Sequence, residues 1–102
     1  MSEKVFYTYL LLTENNTYYC GYTDDIKRRY QKHLNGLGAK YTKANKPKKI
    51  AYLKTFLSKS EAMKEEYRIK HLSRKSKEDL DISFNNLFPE LFKLAKEIEL
   101  AF

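Results

Sequence analysis

Apolar side chains at the start of the chain follow a pattern that predicts two antiparallel strands. Residues 5–12, VFYTYLLL, are β-branched, aromatic or aliphatic on both alternating sides, which is typical of a strand covered on both faces. The polar stretch TENNT comes next, and its Asn15 and Asn16 tolerate the left-handed backbone of a tight turn. TYYCGY then resumes the extended pattern, so we expect a hairpin.

Helical spacing begins directly after this hairpin. The apolar residues that recur at this spacing are Ile26, Tyr30, Leu34 and Leu37. Thr23 or Asp24 can cap the start of the helix, with Asp24 and Asp25 in its first turn, and Gly36 or Gly38 can end it.

Two polar residues of this first helix lie close to its apolar stripe. Arg29 and His33 are one turn apart and about 60° from the stripe, so their side chains can meet at the edge of the covered surface. An arginine and a histidine are unusual there, and both are candidates for chemistry.

The next segment, NGLGAKYTKANKPKK, is predicted to be a basic loop, and IAYLKTF at residues 50–56 to be a third strand. A second helix should cover residues 59–71. Ser58 is its expected N-cap, because Glu61 follows three residues later and completes a capping box.

On the second helix, Ala62, Met63 and Ile69 define the expected buried side, and Glu66 falls within it. A buried carboxylate needs a cation, so Glu66 is a candidate metal ligand. A modest rotation of the helix would bury the neighbouring Glu65 instead. The alternative role for Glu66 is an ion pair with a lysine one turn later on the same helix.

The remaining chain predicts two further helices. SRKSKEDL indicates a short basic helix begun by Ser73, and FNNLFPELFKLAKEIELAF indicates an amphipathic one with Pro89 in its first turn. Its apolar positions are Leu91, Leu94 or Ala95, Ile98 and Phe102. We divide the chain into a domain at residues 1–80 and a helical extension at 81–102 that packs on it. The alternative use of the extension is docking onto a second copy or a protein partner.

Charge and cysteine content narrow the class of protein. The net charge is +7, and residues 26–60 contain eleven Lys and Arg and no Asp or Glu. Such a field attracts polyanions, nucleic acid above all, although the simpler alternative is that the lysines only keep the protein soluble. One cysteine permits no internal disulfide, and we find no membrane span or secretion signal. We therefore expect a cytoplasmic protein.

The candidate residues together suit phosphodiester cleavage. A tyrosine such as Tyr9 or Tyr19 can relay a proton from water, Arg29 can hold the charge that builds on phosphorus, and Glu66 can bind one divalent cation. Mg²⁺ fits best, with Mn²⁺ possible, because it often takes only one or two protein carboxylates and keeps its waters. Zinc lacks a ligand set, since the chain has one Cys and two His.

The motifs resemble the GIY-YIG nuclease superfamily. YTY at residues 7–9, YCG at 19–21, TDDIKRRYQKH and SEAMKEEYRIK occur in the family's order and spacing, and GLGAKYT is similar to a stretch of its small bacterial members. The resemblance covers roughly residues 5–78. It implies an α+β fold with a three-stranded antiparallel sheet flanked by helices, to which this chain adds a C-terminal amphipathic helix.

The resemblance also implies roles for individual residues. Tyr19 matches the general base for the attacking water, Arg29 the catalytic arginine, and Glu66, rather than Glu65, the metal ligand. Tyr9 matches the tyrosine that ends the first motif, and His33 a position that assists proton transfer. Tyr7 and Gly21 are supporting motif positions. Residues expected to contact nucleic acid are Arg28, Lys32, Lys40, Tyr41, Lys43, Lys70 and Lys75.

Two departures from the family pattern stand out. Tyr7 occupies the position of the family's first glycine. No residue clearly matches the asparagine that some family nucleases place after the glutamate helix, and the nearest polar residues there are Lys75 and Lys77. The leading hypothesis is a metal-dependent endonuclease acting on DNA, structure-selective or non-specific. The alternatives are a nucleic-acid-binding module with little catalysis and a protein-interaction adaptor. Cys20 should point away from Tyr19 and take no part in catalysis.

Overall fold

The computed structural model describes residues 4–102; residues 1–3, which begin the predicted 1–80 domain, lie outside it. The elements in chain order are β1 (Phe6–Thr13), β2 (Tyr18–Thr23), α1 (Ile26–Leu34), α2 (Lys40–Ala44), β3 (Pro47–Phe56), α3 (Lys59–Lys70), α4 (Arg74–Leu87) and α5 (Pro89–Leu100). The predicted fold class, a three-stranded antiparallel sheet flanked by helices, is confirmed.

The first strand lies at the centre of the sheet, in the order β2-β1-β3. It pairs antiparallel with both neighbours, and Asn16 in the β1–β2 turn has a φ of 62°, the left-handed conformation for which asparagine is suited. The predicted hairpin is therefore confirmed. A central strand needs cover on both faces, which explains its almost entirely apolar and aromatic sequence.

Alternate residues of β1 contact different helices. Thr8 Oγ1 donates a hydrogen bond to the Ala62 carbonyl on α3 at 2.7 Å, whereas the Tyr9 hydroxyl lies 2.8 Å from His33 on α1. All residues from Thr8 to Leu11 are buried. The sheet thus separates α3 on one face from α1 on the other, and Tyr9 points toward α1.

The first helix starts later than either predicted cap allows, by one residue for Asp24 and by two for Thr23. Asp25 is the N-cap, and its side chain accepts from the Arg28 amide at 3.1 Å, so the prediction of Thr23 or Asp24 was wrong. The helix ends at Leu34, before Gly36, whose φ is 75°. Leu37 therefore lies outside the helix and is 75% exposed, contrary to its predicted place on the apolar stripe.

The predicted basic loop contains a short helix, α2, of five residues. It buries Thr42, whose hydroxyl donates to the Ala39 carbonyl at 3.2 Å. The third strand begins at Pro47 rather than at residue 50, because β3 is an edge strand and an edge tolerates a proline that cannot donate to the ladder.

The N-terminus of α3 is capped as predicted. Ser58 Oγ accepts from the Glu61 amide at 3.2 Å and also donates to its carboxylate at 3.0 Å. Ala62 and Ile69 are fully buried against the sheet. The cap fixes where α3 begins and therefore which side chains face the strands.

The C-terminal part forms two helices that meet at Phe88. The first, α4, starts after its predicted cap Ser73 but extends to Leu87, well beyond the predicted short helix. Pro89 begins α5, because proline disfavours a helical conformation at the residue before it and provides no amide for α4 to continue. The helix α4 runs through residue 80, and the division into 1–80 and 81–102 stays a prediction.

The last helix packs beside the sheet through its apolar side. Ala95 and Ile98 are buried in the common core, while Phe102 is half-exposed, contrary to its predicted place on the apolar stripe. The Glu99 carboxylate accepts from the Ile50 amide of the edge strand at 2.9 Å, which satisfies a donor that has no strand partner. Docking of a second copy or a partner on this helix finds no support in these contacts. No helix within residues 4–102 is long and apolar enough to cross a membrane.

Candidate active site

A cleft of about 570 Å³ opens where β2, the start of α1 and α3 meet. Of the residues predicted to do chemistry or bind metal, four line this cleft: Tyr9, Tyr19, Arg29 and Glu66. Gly21 lines it too, but Tyr7 does not. Three consecutive elements, β1, β2 and α1, and the more distant helix α3 thus bring these side chains to one place.

The fifth predicted residue, His33, lies behind Tyr9. It is fully buried, and its Nε2 lies 2.8 Å from the Tyr9 hydroxyl. On the other side of the ring, Nδ1 lies 2.7 Å from Thr42 Oγ1. A buried network therefore connects β1, α1 and α2, and it ends at the cleft in the hydroxyl of Tyr9.

Burial determines the protonation of this pair. Desolvation raises the pKa of Tyr9 above its ordinary value, although the charge of Arg29 opposes the shift. The pKa of His33 is lowered to about 4, mainly by burial and then by the charge of Arg29. At neutral pH the site thus contains a protonated phenol beside a neutral imidazole.

Two glycines leave room for these rings. Gly21 lies opposite Tyr9 on the neighbouring strand, and a Cβ there would come within 2.6 Å of Tyr9 Cζ. A Cβ at Gly38 would come within 2.7 Å of Cγ in the His33 ring. No side chain can be added at either position without moving a ring of the network.

Tyr19 contacts the network from β2. Its ring meets the His33 ring edge-on, with centroids 5.2 Å apart, and stacks at 6.2 Å on the ring of Tyr41 in α2. The hydroxyl of Tyr41 is hydrogen-bonded to Thr17. Tyr41, predicted to contact nucleic acid, therefore also supports the ring of Tyr19.

Arg29 is partly buried, and its Nε is a buried nitrogen without a hydrogen-bond partner among residues 4–102. Buried donors are nearly always paired in folded proteins, so an orphan of this kind marks a site where an acceptor is expected to bind. A guanidinium suits a phosphate oxygen in particular. The position of Arg29 in the cleft wall fits such a partner.

The two glutamates of α3 exchange the exposures predicted for them. Glu65 is buried, and Arg68 holds its carboxylate with two hydrogen bonds of 2.7 and 2.9 Å. These bonds, with help from Lys54, lower the pKa of Glu65. Met63, expected to be buried, is 44% exposed, so the predicted orientation of α3 was wrong.

Glu66 is only partly buried and lines the cleft. Its contact with Lys70, the predicted alternative, measures 4.0 Å, at the limit of an ion pair. A pair this long between solvated side chains contributes little. The Glu66 carboxylate therefore keeps its lone pairs available, whereas that of Glu65 is already engaged.

The donor set of the cleft limits which metal could bind. Within residues 4–102 no three His, Cys, Asp or Glu side chains converge as a ready-made metal site. Three carboxylates line the cleft, but Asp24 is paired with Lys4 at 2.9 Å and Asp25 caps α1, so Glu66 is the one without a close partner among the described residues. One carboxylate completed by waters and substrate oxygens fits Mg²⁺ or Mn²⁺ and does not fit zinc.

The predicted nucleic-acid contacts fall into two groups. Arg28 and Lys32 line the cleft itself. The others, which do not line it, are exposed on neighbouring helices: Lys40, Tyr41 and Lys43 on α2, Lys70 on α3 and Lys75 on α4. The wall of the cleft therefore contains two of the predicted contacts, and the others are exposed outside it.

Cys20 faces away from the cleft. It is buried, its thiol donates to the Glu66 carbonyl at 3.7 Å, and burial, followed by the charge of Glu66, raises its pKa to about 12. A thiol with so high a pKa is a poor nucleophile. The prediction that Cys20 and Tyr19 point to opposite faces agrees with these contacts.

Thr42 and Gly38 were not among the predicted site residues. Both belong to the stretch GLGAKYT, which resembles a motif of the family, but the sequence pattern predicts only a basic loop there. The signal that could have identified them is a glycine and a threonine, Gly38 and Thr42, placed just after a helix that carries a histidine, His33, close to its apolar stripe.

Comparison with known proteins identifies the family. A model described as the GIY-YIG catalytic domain matches residues 5–79. A UPF0213 protein of Halalkalibacterium halodurans is 47% identical over 74 residues, which cover 72% of this chain and 79% of the relative. A UPF0213 protein of Halobacterium salinarum is 49% identical over 74 residues, covering 72% and 96%.

A solved structure is also similar. The solution NMR structure of a UPF0213 protein from Bacillus halodurans shares 46% identity and a TM-score of 0.48, covering 74% of this chain and 81% of that one. Apart from Lys4, the residues that line the cleft lie within the span matched by the family model. The chain belongs to the GIY-YIG catalytic domain family.

Proposed function

We propose that the protein is a divalent-metal-dependent endonuclease that hydrolyses phosphodiester bonds in cytoplasmic DNA. The observation that carries this proposal is the convergence of Tyr9, Tyr19, Arg29 and Glu66, from β1, β2, α1 and α3, around one cleft. Tyrosine, arginine and a lone carboxylate provide proton transfer, charge stabilisation and metal binding, the three functions that phosphodiester hydrolysis needs.

In the proposed reaction, Glu66 holds one Mg²⁺ or Mn²⁺, which supplies Lewis-acid activation of the phosphate when bound. Arg29 binds a non-bridging phosphate oxygen and neutralises the charge that builds on it in the transition state. Its unpaired Nε supports this role, because it is a donor without an acceptor in the folded chain between residues 4 and 102.

The tyrosines receive the proton of the attacking water. Tyr19 borders the cleft and is the proposed general base, aided by Tyr9 and His33. Since the pKa of His33 is about 4, its imidazole is neutral at physiological pH and can accept a hydrogen bond from a phenol. Tyr9 is hydrogen-bonded to His33, so a proton that Tyr9 takes up from the cleft is balanced by the one it passes to Nε2, whereas Tyr19 meets His33 through its ring.

The proposed substrate is DNA recognised by shape or backbone rather than by sequence. Arg28 and Lys32 border the cleft, and Lys40 and Lys43 lie exposed on α2. Basic side chains of this kind contact phosphates, which position a duplex but do not distinguish bases. We therefore expect binding to weaken steeply as salt rises.

The test is cleavage of single-stranded, nicked and branched DNA, and of RNA, with Mg²⁺ or Mn²⁺ and with EDTA as control. We expect metal-dependent cutting of at least one DNA substrate, and its loss by about 100-fold or more in Arg29→Ala. Binding without cutting by the wild-type protein would instead favour a nucleic-acid-binding module. Cutting that persists in Arg29→Ala would contradict the proposed site.

A further inference from the structure

The hydrogen bonds around His33 have a defined direction. Thr42 Oγ1 is 3.2 Å from the Ala39 carbonyl, and a carbonyl can only accept, so the hydroxyl proton of Thr42 is donated there. The same oxygen lies 2.7 Å from His33 Nδ1. Because its proton is already engaged, Oγ1 accepts from this ring nitrogen, and Nδ1 carries the hydrogen.

The direction continues through the ring to Tyr9. A neutral imidazole has one N–H, so with the hydrogen on Nδ1 the nitrogen Nε2 has only a lone pair. The Tyr9 hydroxyl, 2.8 Å away, must therefore donate to Nε2. The lone pairs of the Tyr9 oxygen then face donors on the cleft side. Burial raises the pKa of Tyr9, and the guanidinium of Arg29 lies close enough to oppose this rise by its charge and by hydrogen bonding.

The opposite tautomer loses one hydrogen bond. With the hydrogen on Nε2, Thr42 would have to donate to Nδ1, and its bond to Ala39 would break. The Ala39 carbonyl would keep the bond it accepts from the Lys43 amide at 3.0 Å. Three side-chain hydrogen bonds would thus become two, in a place where His33 and Thr42 are both fully buried and no solvent can replace the lost one.

We propose that Thr42 is a positioning residue of the active site, which fixes the tautomer of His33 so that Tyr9 donates to Nε2 and presents acceptor lone pairs to the cleft. The Tyr9 oxygen can then take a proton from water as its own proton passes to Nε2 of His33, whereas a phenol that donates into the cleft beside an Nε2 that already carries a hydrogen cannot. The proposal rests on the proposed function for its effect on cleavage, but its statement about the tautomer is independent of any activity.

Packing holds the ring in this arrangement. Gly38 lies against His33, where a Cβ would approach Nδ1 to within 2.5 Å, so the backbone lies against this face of the imidazole. The rings of Tyr9 and Tyr19 meet it edge-on at 5.6 and 5.2 Å. The short helix α2 thus carries one side chain, that of Thr42, which sets the direction of the whole network.

The tautomer can be measured directly by ¹⁵N NMR of the histidine rings. The chain has two histidines, and the signals of His33 are those missing from His33→Gln. We expect a protonated Nδ1 and an unprotonated Nε2 in the wild-type protein and in Thr42→Ser. In Thr42→Val, which keeps the shape but lacks the hydroxyl, the Nε2–H tautomer should gain at least several-fold in population.

Cleavage is the second readout. Thr42→Val should lower kcat about tenfold with little change in KM, and Thr42→Ser should stay within about twofold of the wild type. An Nε2–H tautomer in the wild type overturns the proposal, as does a Thr42→Val variant with unchanged kcat. If Thr42→Val does not fold, the wild-type spectrum and the Thr42→Ser rate still decide between these outcomes. A wild-type protein that cuts nothing refutes the catalytic part, while the spectrum tests the tautomer separately.

Discussion

The ring of Tyr9 lies against the backbone of Gly21 on the neighbouring strand, where a Cβ would come within 2.6 Å of Cζ. Because Tyr9 is also hydrogen-bonded to His33, its ring cannot move aside without breaking that bond. The Tyr9 hydroxyl can therefore keep its position in the cleft only if residue 21 has no side chain.

We predict that Gly21→Ala displaces Tyr9 and lowers kcat by about tenfold or more, together with a loss of about 1–3 kcal/mol in the free energy of unfolding from overpacking. Urea denaturation and initial cleavage rates measure the two effects. Gly36→Ala is the matched control, since its φ of 75° makes alanine costly by about 1 kcal/mol but its nearest neighbour is Lys43. Equal kcat losses in both variants would contradict the role of Gly21.

The buried imidazole makes stability depend on pH. The pKa of His33 is about 4 in the folded protein and 6.5 ordinarily, so the unfolded chain binds the proton more tightly. The contribution of neutral His33 to the free energy of unfolding is fully present above pH 6.5. It is lost as the pH falls toward 4, by about 3 kcal/mol in total.

The measurement is urea denaturation at several pH values for the wild type and His33→Gln. Other titrating groups are common to both proteins, so the difference in their free energies of unfolding isolates His33. We expect this difference to shrink as the pH falls from 7 to 4. A difference that stays constant over this range would show that His33 is not buried in its neutral form.

Cys20 is predicted to be unnecessary for catalysis. Its thiol is buried on the face opposite the cleft, with a pKa of about 12. Cys20→Ala should keep kcat within about twofold and lower the free energy of unfolding by about 1 kcal/mol through the lost packing. A tenfold loss of kcat at unchanged stability would contradict this prediction and would indicate that the thiol takes part in catalysis.

Adjacent arginines on α1 should affect different kinetic parameters. Arg28 is exposed at the rim of the cleft, and Arg29 has a buried Nε in its wall. We expect Arg28→Ala to raise KM and to reduce the salt dependence of DNA binding, with kcat nearly unchanged, because the proposed partner of Arg28 is the phosphate backbone of bound DNA. Arg29→Ala should lower kcat. The measurement is steady-state kinetics at two salt concentrations. A loss of kcat in Arg28→Ala together with a change of KM alone in Arg29→Ala would contradict the assignments.

Much of the sheet could be predicted because its signals are local. The alternation in β1, the Asn15-Asn16 turn and the Ser58 cap each depend on a few neighbouring residues, and all three occur in the structure. The helix α2 was missed because five residues carry too little periodicity to separate a helix from a loop. Three polar residues in a row, Thr23 to Asp25, likewise left the start of α1 ambiguous.

The two glutamates of α3 show where pattern alone fails. Neighbouring helical positions differ by about 100°, so a small rotation decides which one is buried. Arg68, three residues after Glu65, pairs with its carboxylate and makes the burial of Glu65 possible. The spacing of apolar residues does not reveal this ion pair. The place of Glu66 at the cleft was anticipated from the family motif, whereas the packing of Thr42 on His33 depends on contacts between segments that no local pattern encodes.

The most direct test of the proposed active site compares Glu66→Gln with Glu65→Gln. These variants make the same chemical change at adjacent positions of α3, but Glu66 lines the cleft while Glu65 is buried against Arg68. The measurement is the initial rate of DNA cleavage as a function of Mg²⁺ or Mn²⁺ concentration, with urea denaturation to record stability. We predict that Glu66→Gln lowers the metal-dependent rate by about 100-fold or more at unchanged stability, whereas Glu65→Gln loses stability and keeps the rate within about threefold. Wild-type cleavage rates in Glu66→Gln, or loss of cleavage in stably folded Glu65→Gln alone, would contradict the metal site and with it the proposed mechanism.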